Sequence, residues 1–483
     1  MRKHLPIAII ITASLITHFL FFGQPRETVF DEVHFGKFIS GYFTHEYFFD
    51  IHPPLGKLMI SGMGYISDFK PGFSFAEIGQ QFPDRHYLWL RLLPTLAGTL
   101  LPIVIFYLIL QLGMSRLAAF TGGMLVVLEN ALLVQSRFIL LDSFLLLFGF
   151  LALLFYFRYK NLNQYSKFHI LNYIFLFLAG FFAALAVSVK WTGATFLAII
   201  IILEIIRCRF FPRSYLKATL IKNMLFFVVL PLTVYFLIFA LHFSLLSKSG
   251  PGDAFMTPKF RKNLIGSTDS KNPEIKALNL FQKFNELNLQ MYKSNATLTA
   301  SHPYSSKWYS WPFMIRPIYY WNEADATTNN QQPATNKVES RIYFLGNPVI
   351  WWASTVAMFF LIINLIPSIF RLVMSWVLKK SHDIANREIK TLPVLLAGAY
   401  LLNLLPFIGI KRAMFLYHYT IGLVFATIAL VYLIDQLPHK KKTAFAVLLI
   451  ASATAFVFFA PLTYGLPLTE KSYNLRVWLQ SWL

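Results

Sequence analysis

The sequence predicts an all-α polytopic membrane protein. Apolar runs recur along all 483 residues, hydrophobic residues make up 56% against 13% charged, and the mean hydropathy is +0.55. Many of these runs reach about 18 residues, the length a helix needs to cross a hydrocarbon core. Lys and Arg outnumber acids 43 to 22. Most of that excess sits in short polar stretches between apolar runs, where it sets orientation, so a nucleic-acid partner is not implied. The single cysteine, Cys208, excludes an intrachain disulfide framework. No repeat of period 20–50 and no low-complexity domain stands out.

Eleven spans are expected, at about 5–23, 87–112, 117–136, 138–157, 170–188, 191–207, 223–246, 347–370, 391–410, 413–435 and 443–464. The first follows Met1-Arg2-Lys3-His4, is long for a signal peptide and has no Ala-x-Ala site after it, so it reads as an uncleaved helix. The positive-inside rule then puts the N-terminus and the segments 158–167, 207–222, 371–390 and 439–442 in the cytoplasm. The C-terminus and two long loops, 24–86 and 247–346, fall on the far side. The first loop carries an amphipathic stretch at 55–68 that suits a surface helix. In the second, Trp308, Trp311, Tyr319, Tyr320 and Trp321 suit either an interfacial aromatic belt or a ligand groove, and 322–340 reads as a mobile loop.

Ionisable groups at membrane depth cost about 2.5–3.5 kcal/mol on insertion scales and point to function. Glu129 lies inside the third span. With the derived topology, Asp31, Glu32, His52, Arg91, Arg137, Asp142, Lys190, His302, Arg316, Arg412 and His418 approach one membrane face. Snorkelling explains Arg137 or Arg412 singly, but not why acids and Lys190 join them. Fixed cations near the interface suit a lipid-linked phosphate, and a carboxylate opposite suits a general base. No glycine-rich phosphate cradle for a nucleotide-sugar is present.

The motifs "DEVHFGKF" (31–38), "YFFDIHPPLGKLMI" (47–60), "SVKWTG" (188–193), "GPGDAFM" (250–256), "HPYSSKWYSWP…RP" (302–317) and "YHY" (417–419) resemble the protein O-mannosyltransferases. The resemblance runs from the first loop to the tenth span. It implies a GT-C fold and one transmembrane catalytic domain over 1–483. It also implies inverting transfer of mannose from a polyprenyl (dolichyl) phosphate to Ser or Thr hydroxyls of proteins. Asp31 is similar to the acid that activates the acceptor, and Glu32 to the partner that organises the site, through an arginine. Arg91, Lys190, His302 and, more weakly, Arg412 are the expected contacts to the leaving phosphate. His52 and Pro53, with Arg137, Asp142 and Arg316, are expected to shape the site. The scheme requires no cofactor. A divalent metal is left open, although no spacing such as His-Glu-x-x-His occurs.

The second loop is too short for the MIR domains of eukaryotic members. That favours a bacterial-type member in a plasma membrane, or the ER membrane if the source is eukaryotic, with an external active site. Expected partners are the donor lipid, a Ser/Thr-bearing protein or peptide and the membrane, with dimerisation open. Asn295-Ala-Thr297 reads as a chance sequon. Two other functions stay in play: a GT-C transferase using another sugar or a lipid acceptor, and a transporter. The second is disfavoured because no inverted repeat is visible. A catalytically inactive scaffold fits poorly with an intact Asp31 and Lys190.

Overall fold

A computed structural model describes residues 4–163, 169–208, 213–297, 302–323, 338–377 and 391–482. The helices, in chain order, begin with α1 (Leu5–Phe19), α2 (Glu32–Thr44), α3 (Leu55–Ile66), α4 (Tyr87–Gln111), α5 (Arg116–Val127) and α6 (Asn130–Ser136). There follow α7 (Asp142–Asn163), α8 (His169–Val189), α9 (Ala194–Cys208), α10 (Arg213–Met224), α11 (Leu230–Leu245), α12 (Pro258–Arg261) and α13 (Leu280–Thr297). Then come α14 (Pro348–Val377), α15 (Thr391–Leu404), α16 (Thr420–Asp435), α17 (Lys441–Tyr464) and the short α18 (Glu470–Asn474). All eleven expected spans are helical over much of their length. By length and composition, eight described helices can cross a bilayer, or nine if α5 and α6, bent by 59°, form one broken span. The remaining two apolar segments are α1 and α9, of 15 residues each. At 1.5 Å per residue they reach about 22 Å, short of a ~30 Å core.

The break between α5 and α6 explains the intramembrane acid. Glu129 caps α6, accepting from Ala131 N (3.1 Å) and from Asn347 N (3.0 Å). Asn347 in turn donates to the Leu128 carbonyl at 2.9 Å. Backbone groups freed within a bilayer must be satisfied internally, and this pair does so. Inside α4, Pro94 and Pro102 interrupt the ladder. On the same helix, Thr95 and Thr99 bond back one turn, to the Arg91 and Thr95 carbonyls, both at 2.8 Å.

One feature departs from the all-α expectation. A three-stranded antiparallel sheet, ordered β1-β2-β3, joins β1 (Ile318–Asn322), β2 (Val338–Phe344) and β3 (Pro467–Thr469). Its register slips between Tyr319 and Trp321, which leaves Tyr320 as a bulge. Trp311, Tyr320 and Trp321 are buried rather than set in a belt, because they pack as a core beneath the second loop; Trp308 and Tyr319 are half-buried at its edge. Most of the expected mobile loop lies outside the described residues, but Val338–Ser340 belong to β2. The amphipathic stretch is α3; it buries Ile60 and Gly64 while Tyr65 and Ile66 face outward.

The two long loops close on each other. A Cβ on Gly252 would lie 2.5 Å from the Phe48 carbonyl carbon, so "GPGDAFM" can press flat on "YFFD" only with glycine there.

Candidate active site

The acidic pair divides at the start of α2, where Asp31 is the N-cap and Glu32 the first helical residue. Glu32 is fully buried and accepts from Val29 N (2.9 Å), Ile139 N (2.8 Å), Arg91 Nε (2.8 Å) and Arg91 Nη2 (2.6 Å). Arg91 spends its other donors on the carbonyls of Gly23, Pro25 and Glu27, at 3.1, 2.7 and 2.7 Å. All five of its N–H groups are thereby used. The expectation of Arg91 as a phosphate contact is corrected: no donor is left to offer. Glu32 is bonded to that same arginine and has no exposed side-chain surface.

Asp31 differs in every respect. It is half-buried, and among the described residues its carboxylate accepts no hydrogen bond and forms no ion pair. Burial pushes its carboxyl up to about 7; Lys190 opposes that shift, while Asp142 and Asp50 add to it. The group is poised to take a proton near neutral pH.

Lys190 and Asp142, whose charges act on Asp31, line a cavity of about 490 Å³ together with His52, Arg412, Tyr417 and His418; Asp31 itself is not on its wall. The Lys190 ammonium donates to both Asp142 oxygens at 2.8 Å and lies 5.1 Å above the Tyr417 ring. It is set by a tight turn between α8 and α9: a Cβ on Gly193 would meet the Ala186 carbonyl carbon at 2.3 Å, which accounts for the glycine in "SVKWTG". Arg412 lines the cavity with Nη2 3.5 Å from His418 Nε2, and no described carboxylate pairs with it. Burial, then Lys190, Arg412, Lys57 and His418, hold the His52 imidazole well below the usual histidine range, so it is neutral.

The "DIHPPLGK" turn is built by two residues that sequence reasoning missed. Asp50 and Lys57 form a buried ion pair, and Lys57 also donates to the carbonyls of His52 (2.9 Å) and Pro53 (3.2 Å). Their opposite charges seven positions apart, across the two prolines, were the available signal. These bonds hold the backbone of His52 and Pro53, and His52 also lines the cavity.

Other expected residues are dispersed. His302 accepts from Tyr304 N at 3.2 Å and packs edge-on to Phe415 at 4.9 Å; it is not on the cavity wall. Arg137 is buried, donates to the Phe21 carbonyl at 2.6 Å and covers the Tyr464 ring at 4.4 Å; it is not on the cavity wall. Arg316 donates to the carbonyls of Ser481 (3.0 Å) and Pro303 (3.2 Å), tying the "HPY" segment to the C-terminal end. Asn295 of the sequon lines the cavity and donates its amide to the Ile51 carbonyl at 3.1 Å. Among the described residues no three His, Cys, Asp or Glu side chains come close enough to hold a metal.

A broken helical bundle with two interlocked loops over a cationic cavity defines a GT-C type membrane protein. The fold matches the Saccharomyces cerevisiae protein O-mannosyltransferase Pmt1-Pmt2 complex bound to the sugar donor, with a TM-score of 0.86 at 20% identity, over 100% of this chain and 93% of that one. It also matches, more distantly, ArnT from Cupriavidus metallidurans bound to undecaprenyl phosphate, with a TM-score of 0.51 at 13% identity, over 94% and 65%. Residues 8–247 match the family model of dolichyl-phosphate-mannose-protein mannosyltransferase, and residues 280–482 that of the C-terminal four-TMM region of protein-O-mannosyltransferase. The chain belongs to the protein O-mannosyltransferase family.

Among curated relatives, protein O-mannosyltransferase 1 of Drosophila pseudoobscura pseudoobscura is 36% identical over 264 residues, 53% of this chain and 28% of the relative. Dolichyl-phosphate-mannose–protein mannosyltransferase 1 of Candida albicans is 23% identical over 680 residues, 95% of this chain and 75% of the relative. The chain spans about a third or less of the first relatives' length, from 28% to 35%.

Proposed function

We propose that this protein transfers mannose, with inversion, from a polyprenyl-phosphate donor to the hydroxyl of a Ser or Thr in a protein. The observation that carries the reading is the free Asp31 carboxylate, pushed up to about 7 and acted on by the charge of Lys190, which lines a cavity with Arg412. A Ser or Thr hydroxyl is a poor nucleophile, and Asp31 takes its proton as the new bond to the sugar forms. The bond from the sugar to the phosphate oxygen breaks in the same displacement, and the phosphate keeps the electron pair. Lys190 and Arg412 meet the charge that grows there, an electrostatic contribution that counts most in a site shielded from water. Asp142 takes two of the three Lys190 donors, and the third remains for the phosphate. His302 and Arg91 play no direct part in this scheme.

The charge distribution supports an orientation with the N-terminus in the cytoplasm and the cavity outside. The short second loop supports a bacterial-type enzyme in the plasma membrane. Reconstitution in vesicles with polyprenyl-phosphate mannose carrying a radiolabel, and a Ser/Thr-rich peptide, tests the reading. Label in the peptide is the expected result. Label in a lipid and none in the peptide would replace the protein acceptor with a lipid one.

A further inference from the structure

Gln135, on α6, is 3% exposed and has no place in the scheme above. Its side chain bridges two parts of the site. Nε2 donates to Asp142 Oδ2 at 2.6 Å, and Oε1 accepts from the Tyr320 hydroxyl at 2.5 Å. A carboxylate can only accept and the phenol donates here, so chemistry dictates which way the amide points. Beyond Asp142 lies Lys190, bonded to both carboxylate oxygens. Beyond Tyr320 lies the segment that carries the base. The Tyr320 carbonyl accepts from Phe30 N at 3.1 Å, and its ring stacks on Phe30 at 4.3 Å and 9°. Phe30 immediately precedes Asp31. Tyr320 is also the bulged residue of β1, and bulges beside active sites re-aim a side chain. Here the bulge turns the phenol inward to Gln135.

We propose that Gln135 is a positioning residue that locks Lys190 to the Asp31 segment, and so sets the span between the proton acceptor and the leaving phosphate. The inference rests on the mannosyl-transfer reading. A glutamine that merely filled the core would be replaceable by an apolar side chain of equal length. One that holds Asp142 square to Lys190 is not. Misplacing a reacting group by an ångström costs about 10²-fold in rate.

The test uses the full-length protein in nanodiscs, with donor KM, kcat and binding of polyprenyl phosphate measured separately. Gln135→Met is expected to lower kcat/KM about 10- to 100-fold per folded molecule and to weaken polyprenyl phosphate binding. Adding Gln135→Met to Asp142→Asn is expected to cost nothing further, because both act on one ion pair. Measured against wild type at the same pH, Gln135→Glu is expected to be impaired at high pH and to approach the wild-type rate at low pH, where the protonated acid can donate to Asp142 as the amide does. A merely structural role gives no such pH-dependent recovery. Gln135→Met within twofold of wild type, or losses that multiply in the double variant, would overturn the proposal. Should Gln135→Met fail to fold, Gln135→Glu and Tyr320→Phe carry the same comparison. If wild type transfers no mannose, the functional reading fails. Polyprenyl phosphate affinity still decides the coupling: unchanged affinity in Gln135→Met defeats it.

Discussion

Glu32 and Arg91 form a bidentate ion pair with no exposed side-chain surface on either partner. It joins the first loop to α4, and the same arginine gathers the carbonyls of Gly23, Pro25 and Glu27. The pair therefore fixes where α2 begins. Asp31 is the residue before Glu32, so the position of the proposed base is inherited from a bond in which it takes no part.

That dependence separates the two acids by experiment. Removing one partner of a buried pair leaves the other charge uncompensated, at a cost of about 3–5 kcal/mol. Total stability is typically about 5–15 kcal/mol. Glu32→Gln and Arg91→Met are expected to lower the melting temperature sharply and to lose activity along with folded protein. Thermal scans of purified protein check this. Full stability with selective loss of donor binding in Arg91→Met would return Arg91 to the phosphate.

Asp31→Asn is expected to behave in the opposite way. The side chain has no ion pair to lose, so the melting temperature should hold. Transfer should fall by about 10²–10⁴-fold, the usual contribution of a positioned general base. Initial rates beside a thermal scan separate the outcomes, and transfer at the wild-type rate would remove Asp31 from the chemistry.

The pH profile carries the same assignment. Asp31 acts as a base only when ionised, so kcat/KM should rise with pH through an inflection near 7, above the ordinary carboxylate value of about 3.9. Lys190 favours the ionised form. Lys190→Gln should therefore move the inflection up as well as weakening donor use. An unchanged inflection would place the titrating group elsewhere.

Hydropathy and charge made the helical segments readable, because a bilayer selects long apolar runs with their charges at the ends. The sheet was hidden. Its strands lie at 318–322, 338–344 and 467–469, too far apart for any local pattern, and Tyr319-Tyr320-Trp321 has the composition of an interfacial belt. Motif order led to Asp31 and Lys190, yet it could not tell one arginine from another. Whether a guanidinium is free depends on partners brought in by folding: Glu32 and three carbonyls for Arg91, no described carboxylate for Arg412. Gln135 escaped for the same reason, since it matters through Asp142 and Tyr320, neighbours that only the fold supplies.

Arg412 is the arginine that this distinction promotes. It stands on the cavity wall with His418 as its polar neighbour. Hydrogen bonds to a charged group contribute about 1.5–3 kcal/mol, and about 1.4 kcal/mol is a tenfold change in binding. Arg412→Gln should raise donor KM by about tenfold or more, with a smaller effect on kcat. Inhibition by polyprenyl phosphate should weaken in parallel, since the contact is to the phosphate and not to the sugar. Arg412→Lys should recover only part of the loss, because an ammonium keeps the charge without the planar two-pronged geometry. Rates against donor concentration, with and without polyprenyl phosphate, give both constants. If neither moves in Arg412→Gln, the phosphate lies with Lys190 alone.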